Sequence, residues 1–218
     1  MKKIFFALIA IATLFTACRP YDYRPGTGGG GYYPKLFQYV EDFDNDRDNW
    51  SFADGTNYAY GIVSNGTFKF DYNDVNGEAY YLSKDVLFNT GDDFTLYTRI
   101  GSNGTMGLLF GYNANTGNYG YSFTVDYDGY VALYDEGGNG YGNDIQEIVS
   151  PITNRYININ GDWNELRLEQ RGSRWKGYVN DVEVFNIPAE RLRYGTLGFM
   201  VTAKTQGEAD YIQADWYE

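Results

Sequence analysis

The chain has no histidine and a single cysteine among its 218 residues. Without an imidazole there is no serine or cysteine triad with a histidine base, and no histidine zinc site. One cysteine forms no intrachain disulfide and no thiolate metal cluster. Basic residues are also scarce: 17 Lys and Arg face 29 Asp and Glu, a formal charge of −12. A nucleic acid is therefore excluded as a partner, because phosphate binding needs a basic face. Proline appears only 5 times, and no segment of the length a folded domain needs shows sustained helical spacing. What is abundant is Tyr (23), Phe (14) and Gly (27), a composition of β-strands joined by tight turns.

The longest apolar run is Ile4 to Phe15, preceded by Lys2 and Lys3 and followed by Thr16, Ala17 and Cys18. Twelve residues span roughly 18 Å as a helix, short of the ~30 Å hydrocarbon core, so the segment reads as a signal peptide. The small pair before the cysteine resembles the lipobox of bacterial lipoproteins, with Phe15 where Leu is commoner. The resemblance implies cleavage after residue 17 and lipidation of Cys18, a membrane anchor in the bacterial cell envelope. Arg19 follows the cysteine in place of the Asp that retains some lipoproteins at the inner membrane, which points to the outer membrane. Residues 18–35, with four consecutive glycines at Gly28 to Gly31, read as a flexible tether reaching about 20–25 Å. A domain is expected over 36–218.

In that domain the apolar spacing is two. Phe94, Leu96, Thr98 and Ile100 alternate with Thr95, Tyr97 and Arg99, and the rhythm recurs at Leu108–Phe110–Tyr112, Tyr119–Val125, Leu166–Leu168 and Leu197–Val201. Asn65-Gly66, Asp128-Gly129 and Asn180-Asp181 stand where hairpins need left-handed turn residues. About a dozen strands, with one short turn offered by Pro188 to Arg193, predict an all-β, two-sheet antiparallel sandwich.

Phe94 to Tyr112, Asn118 to Asp126, Gly129 to Leu133, Trp163-Asn164-Glu165-Leu166-Arg167 and Gly177 to Val182 follow one another in the order and rhythm of the concanavalin A-like lectin/glucanase superfamily, which the chain resembles, especially its laminin G-like bacterial members. The likeness runs over about residues 38–217 and implies a jelly-roll. Asp181 departs from the usual Gly of the last hairpin, although Asp also tolerates the left-handed conformation.

The superfamily's family 16 glycoside hydrolases carry a Glu-x-Asp-x-Glu or Glu-x-Asp-x-x-Glu strand. Here Glu208-Ala209-Asp210-Tyr211-Ile212-Gln213 is a near miss, with Gln213 in place of the second Glu. No catalytic residue is assigned on that basis. Glu165, Glu169, Asp126 and Asp135 remain candidates for an unidentified hydrolytic pair. Asp42, Asp44, Asp46 and Asp48 alternate in a way that invites calcium, yet an EF-hand count from Asp44 reaches Gly55 where a bidentate Glu belongs. A calcium site bridging loop carboxylates to Asp210 or Asp215 stays open; no other cofactor or metal is expected.

Sugars are recognised by flat aromatic faces supplemented by a few polar groups. The loops around Tyr112, Asn113, Asn118 and Tyr119, and after Tyr134, have that composition. Tyr97, Arg99 and Arg167 share the polar parity of their strands and line an open sheet face in this reading. By the same parity Tyr112, Tyr119 and Tyr121 fall with core residues Phe110 and Phe123. Three functions follow: an anchored module that binds glycans or a protein partner without catalysis, a glycoside hydrolase, or a structural envelope lipoprotein.

Overall fold

The computed structural model describes residues 35–56, 58–113, 119–137 and 145–217. Cys18, the signal segment and the tether before residue 35 lie outside the described residues. The described residues contain fifteen strands and no helix. In chain order they are β1 (Leu36–Glu41), β2 (Phe52–Ala53), β3 (Ala59–Ser64), β4 (Thr67–Tyr72), β5 (Ala79–Asp85), β6 (Phe94–Ser102), β7 (Met106–Asn113) and β8 (Tyr119–Val125). There follow β9 (Tyr130–Asp135), β10 (Gln146–Thr153), β11 (Asn164–Arg171), β12 (Arg174–Val179), β13 (Val182–Pro188), β14 (Thr196–Thr202) and β15 (Thr205–Tyr217).

They form the expected sandwich of two antiparallel sheets. One has nine strands in the order β13-β12-β11-β6-β15-β4-β3-β2, with β1 also paired to β15. The other has six, β10-β9-β8-β7-β14-β5. From β4 to β7 and from β13 to β15 each connection changes sheet, so β6 and β15, distant in sequence, become neighbours. The hairpins turn where the sequence offers left-handed residues: Asn65 and Gly66 have φ of 55° and 75°, Asn180 and Asp181 have 49° and 64°, and Gly129 has 83°.

Between the sheets, the apolar parity of each strand meets its counterpart. Phe43, Trp50, Phe68 and Phe199 are fully buried, with ring centroids 5.5–6.3 Å apart. Such ring pairs add about 0.5–1.5 kcal/mol each beyond area burial, which offsets the left-handed φ of 56° that Phe43 adopts. The short turn anticipated over Pro188 to Arg193 does not form. Residues 189–195 run irregularly, because Leu192 is drawn into the core and the Ala189 N–H is held by the Ser173 carbonyl at 2.9 Å.

Candidate functional site

Since one parity of every strand is used by the core, the other emerges together on the outer face of the nine-stranded sheet. Register then sets neighbours. Tyr60 on β3 lies beside Asp71 on β4, which lies beside Gln206 on β15. Lys69 lies beside Glu208, and Glu208 beside Gly101 on β6. Further along, Arg99 is flanked by Tyr211 and Glu165, and Tyr97 by Gln213 and Arg167. A bulge between Ala209 and Tyr211 leaves Asp210 as the extra residue. It delivers the Asp210 carboxylate to Arg99 at 2.9 Å, while Glu208 meets Lys69 at 3.4 Å. The near-miss glucanase pair is therefore divided between two separate ion pairs.

At the β3–β4–β15–β6 end of this face is an open groove of about 510 Å³. Trp163 and Tyr60 supply its aromatic rings; Asp71, Asn103, Gln206 and Glu208 supply amides and carboxylates. Trp163 reaches the groove because the segment before it is tied down by one buried amide. Asn164 accepts from the Asn158 backbone N–H at 2.9 Å and from Asn180 Nδ2 at 2.8 Å, and donates to the carbonyls of Asn158 and Asp162. The Trp-Asn pair and the hairpin Asn180, both read from the sequence as fold motifs, thus also fix the groove wall. Close backbone approach completes it: a Cβ on Gly101 would lie 2.8 Å from the Gly161 carbonyl oxygen. Behind Trp163, the Arg99 guanidinium sits 5.2 Å from the ring centroid.

Asp71, a groove-lining carboxylate, is 6% exposed. Its Oδ2 accepts from the Tyr60 hydroxyl at 3.0 Å and from Gln206 Nε2 at 2.9 Å. Its Oδ1 is buried and has no protein partner. Burying a carboxylate oxygen without a protein donor costs of order 1–3 kcal/mol. A second recess of about 590 Å³, over Asp128, Asn154, Asn158 and Asp162, has no aromatic lining.

The residues singled out from the sequence fall on two opposite faces. Tyr97, Arg99 and Arg167 are on the groove's sheet face, Arg99 directly behind its wall. Arg167 lies 4.2 Å from the Tyr178 ring centroid and pairs with Glu169 at 3.5 Å. Tyr112 and Tyr134 belong to the six-stranded sheet and do not meet them. Tyr112 also departs from its parity. Gly111 takes φ 67° and the register slips between Phe110 and Asn113, so Tyr112 leaves the core side and stacks on Tyr81 at 5.0 Å, beside Leu109 and Met200. Tyr121, beyond the slip, is in the core as its parity requires. Asn118 lies outside the described residues, as do the side chains of Asn113 and Tyr119, whose backbones pair across β7 and β8.

Near Tyr112 and Tyr81 is a residue the sequence did not single out. Glu136 is 5% exposed and accepts hydrogen bonds from the Tyr81 hydroxyl at 2.7 Å and from the Ser122 hydroxyl. Burial pushes its carboxyl above the ordinary value, against the lowering effect of the two hydroxyl donors. The hydrolytic candidates are engaged elsewhere: Glu165 accepts from the Tyr211 hydroxyl at 3.0 Å, Asp126 from the Tyr130 N–H at 2.8 Å, and Asp135 from the Gly137 N–H at 3.1 Å. The alternating aspartates cap their own turn. Asp42 accepts from the Asp44 N–H, Asp46 from the Ser51 N–H and Asp48 from the Tyr39 hydroxyl. Asp215 accepts from Gln38 and Gln213. Among the described residues no group of three or more acidic or cysteine side chains is gathered to hold a metal ion.

No family model matches the chain, and no curated protein matches it in sequence. Solved structures do resemble it. The endo-β-1,3-glucanase of Pyrococcus furiosus is 9% identical with a TM-score of 0.53, over 85% of this chain and 95% of that one. A native glycosidic hydrolase is 16% identical at 0.53, over 83% and 95%. The CBM2 module of the evolved Dit of Lactobacillus casei BL23 phage J-1 is 9% identical at 0.52, over 85% and 98%. At these identities the likeness is one of fold alone, a sandwich of two antiparallel sheets.

Proposed function

We propose that this chain is a lipoprotein of the bacterial envelope, held in the outer membrane through Cys18, whose sandwich binds glycans without cleaving them. The observation that carries the reading is the groove, where Trp163 and Tyr60 supply aromatic rings beside Asp71, Asn103, Gln206 and Glu208. Aromatic faces take the C–H side of a sugar ring while amides and carboxylates take its hydroxyls. Two glycoside-cleaving proteins share the fold, which supports a sugar as the class of ligand. Both groove carboxylates are engaged within the protein, Asp71 by Tyr60 and Gln206 and Glu208 by Lys69, which supports binding without cleavage.

A glycan array probed with the detergent-solubilised mature protein, with and without calcium, tests this. Retention on at least one glycan, with no new reducing ends released from it, is the expected result. Reducing ends would make the protein a hydrolase. Silence across the array, with capture of another envelope protein, would leave a structural role.

A further inference from the structure

Resting on the glycan-binding reading, we propose that the ligand is a glycan chain longer than a disaccharide, laid along β3 so that it leaves the groove over Tyr58, a further subsite. Tyr58 precedes β3 and continues its ladder, because its carbonyl accepts from the Asn73 N–H at 2.8 Å. Period two then puts Tyr58, Tyr60 and Ile62 on one outer face, with Ala59 and Gly61 buried between them. The three residues are 50%, 43% and 47% exposed. A single exposed apolar residue is ordinary, but three in succession on one side of a strand make a contiguous patch, and such patches mark binding surfaces. Tyr60 and Ile62 line the groove and Tyr58 does not, so the patch runs past the groove's end. From Tyr58 to Ile62 the chain advances about 13 Å, more than a disaccharide extends.

The neighbours of this line match a sugar chain. On one flank lie polar residues of β4 and β15, with Lys69 beside Ile62, Asp71 beside Tyr60, and Gln206 and Glu208 beyond them. On the other flank nothing tall stands: Ala53 pairs with Tyr60, and Ser51 accepts from the Val63 N–H at 3.0 Å. A glycan chain has the same two sides, C–H faces for the apolar line and hydroxyls for the polar one. A protein partner fits less well, since a patch one strand wide is a small part of the ~800 Å² that each side of a stable protein interface buries. The rings are also held in advance. The Tyr58 N–H donates to Asp54 Oδ1 at 3.2 Å and to Thr56 Oγ1 at 3.3 Å, and the Tyr60 hydroxyl donates to Asp71 at 3.0 Å. Groups fixed before binding have less freedom to lose when a ligand arrives.

The test is calorimetric titration of the solubilised mature protein with disaccharides, tetrasaccharides and hexasaccharides. The cello-, laminari-, xylo- and chito- series are used, together with fragments of any glycan the array retains. In a series that binds, affinity should rise at least about tenfold from disaccharide to hexasaccharide. Tyr58→Ala should weaken the hexasaccharide about fivefold or more and narrow that ratio. Tyr58→Phe should restore both, because the ring and not the hydroxyl makes the contact. The melting temperature of each variant should stay at the wild-type value, since the Tyr58 side chain is exposed. Trp163→Ala, within the groove, should weaken every length. Equal affinity at all lengths overturns the inference and leaves the glycan reading standing, as does an unchanged ratio in a folded Tyr58→Ala protein. If no series binds and the array is silent, the glycan reading falls and takes this inference with it.

Discussion

Trp163 stands apart from the other three tryptophans. Trp50 and Trp175 are fully buried and Trp216 is nearly so, while Trp163 is half-buried at the groove. Its fluorescence is therefore the component that a polar quencher reaches first. Arg99 holds it from behind and is itself held by Asp210. Arg99→Ala should increase acrylamide quenching, and Arg99→Lys should do so less, since an ammonium lacks the planar face that lies against the ring. Quenching identical to wild type in Arg99→Ala would mean the wall stands without its support. Trp163→Ala should weaken glycan retention by about tenfold or more, as truncating a central aromatic anchor does. Because the ring is partly exposed, the melting temperature should barely move.

Glu136 provides a second experiment at this scale. Its folded pKa lies above the ordinary 4.5, so the native state binds its proton more tightly than the unfolded chain does. The contribution to stability is complete below the ordinary value and is lost as pH rises through the raised one. Glu136→Gln keeps a neutral, hydrogen-bonding side chain against Tyr81 and Ser122. The melting-temperature difference, wild type minus Glu136→Gln, should become more negative as pH climbs from about 4.5 toward neutrality. A difference independent of pH would contradict the burial argument.

At the scale of elements, the loop that carries Trp163 depends on Asn164. Four hydrogen bonds converge on one buried amide. Asn164→Ala strands several of those partners and should cost about 2–3 kcal/mol, read in chemical denaturation. Glycan retention should fall further than stability accounts for, since the wall is displaced. Gly101→Ala attacks the same loop from the sheet side, forcing a methyl to within 2.8 Å of the Gly161 carbonyl oxygen. It should weaken retention while leaving most of the sandwich folded. Loss of all cooperative unfolding in Gly101→Ala would show that the loop is part of the core instead.

Elements also show where period-two reading stops. It placed Tyr97, Arg99 and Arg167 on one outer face correctly, because β6 and β11 run without a break through those positions. It misplaced Tyr112, because Gly111 inserts a left-handed step that exchanges the two faces. β5 and β10 escaped notice for another reason. Both lie at sheet edges, and β10 is largely exposed over Gln146–Thr153, so neither has a clean alternation to reveal it.

For the whole molecule, the proposed lipid anchor at Cys18 would decide where the groove works. If Cys18 is the lipidation site, labelled palmitate should be incorporated by the wild type. Cys18→Ser should abolish the label and release the protein from the membrane fraction, since several acyl chains on one residue hold firmly at about 0.8 kcal/mol per buried CH₂. Membrane retention of an unlabelled Cys18→Ser chain would point to a different mode of attachment. The groove would be unaffected in either case, because its residues come from the sandwich alone.

Alternation, turn residues and the scarcity of breakers were sufficient to specify a two-sheet sandwich: each strand carries its own record of which side is buried, and each hairpin its own left-handed residue. The absence of histidine and the shortage of cysteine removed whole classes of chemistry without any coordinates. The groove had no such local record. Tyr60, Asp71, Asn103, Trp163 and Gln206 come from separate parts of the chain, and each alone reads in the sequence as an ordinary polar or aromatic residue of a strand or turn. They meet because β15 enters the sheet between β4 and β6, and because one buried Asn swings a loop onto that edge. Register between distant strands is set by the packing of the whole core, so only the tertiary structure decides which polar residues become neighbours.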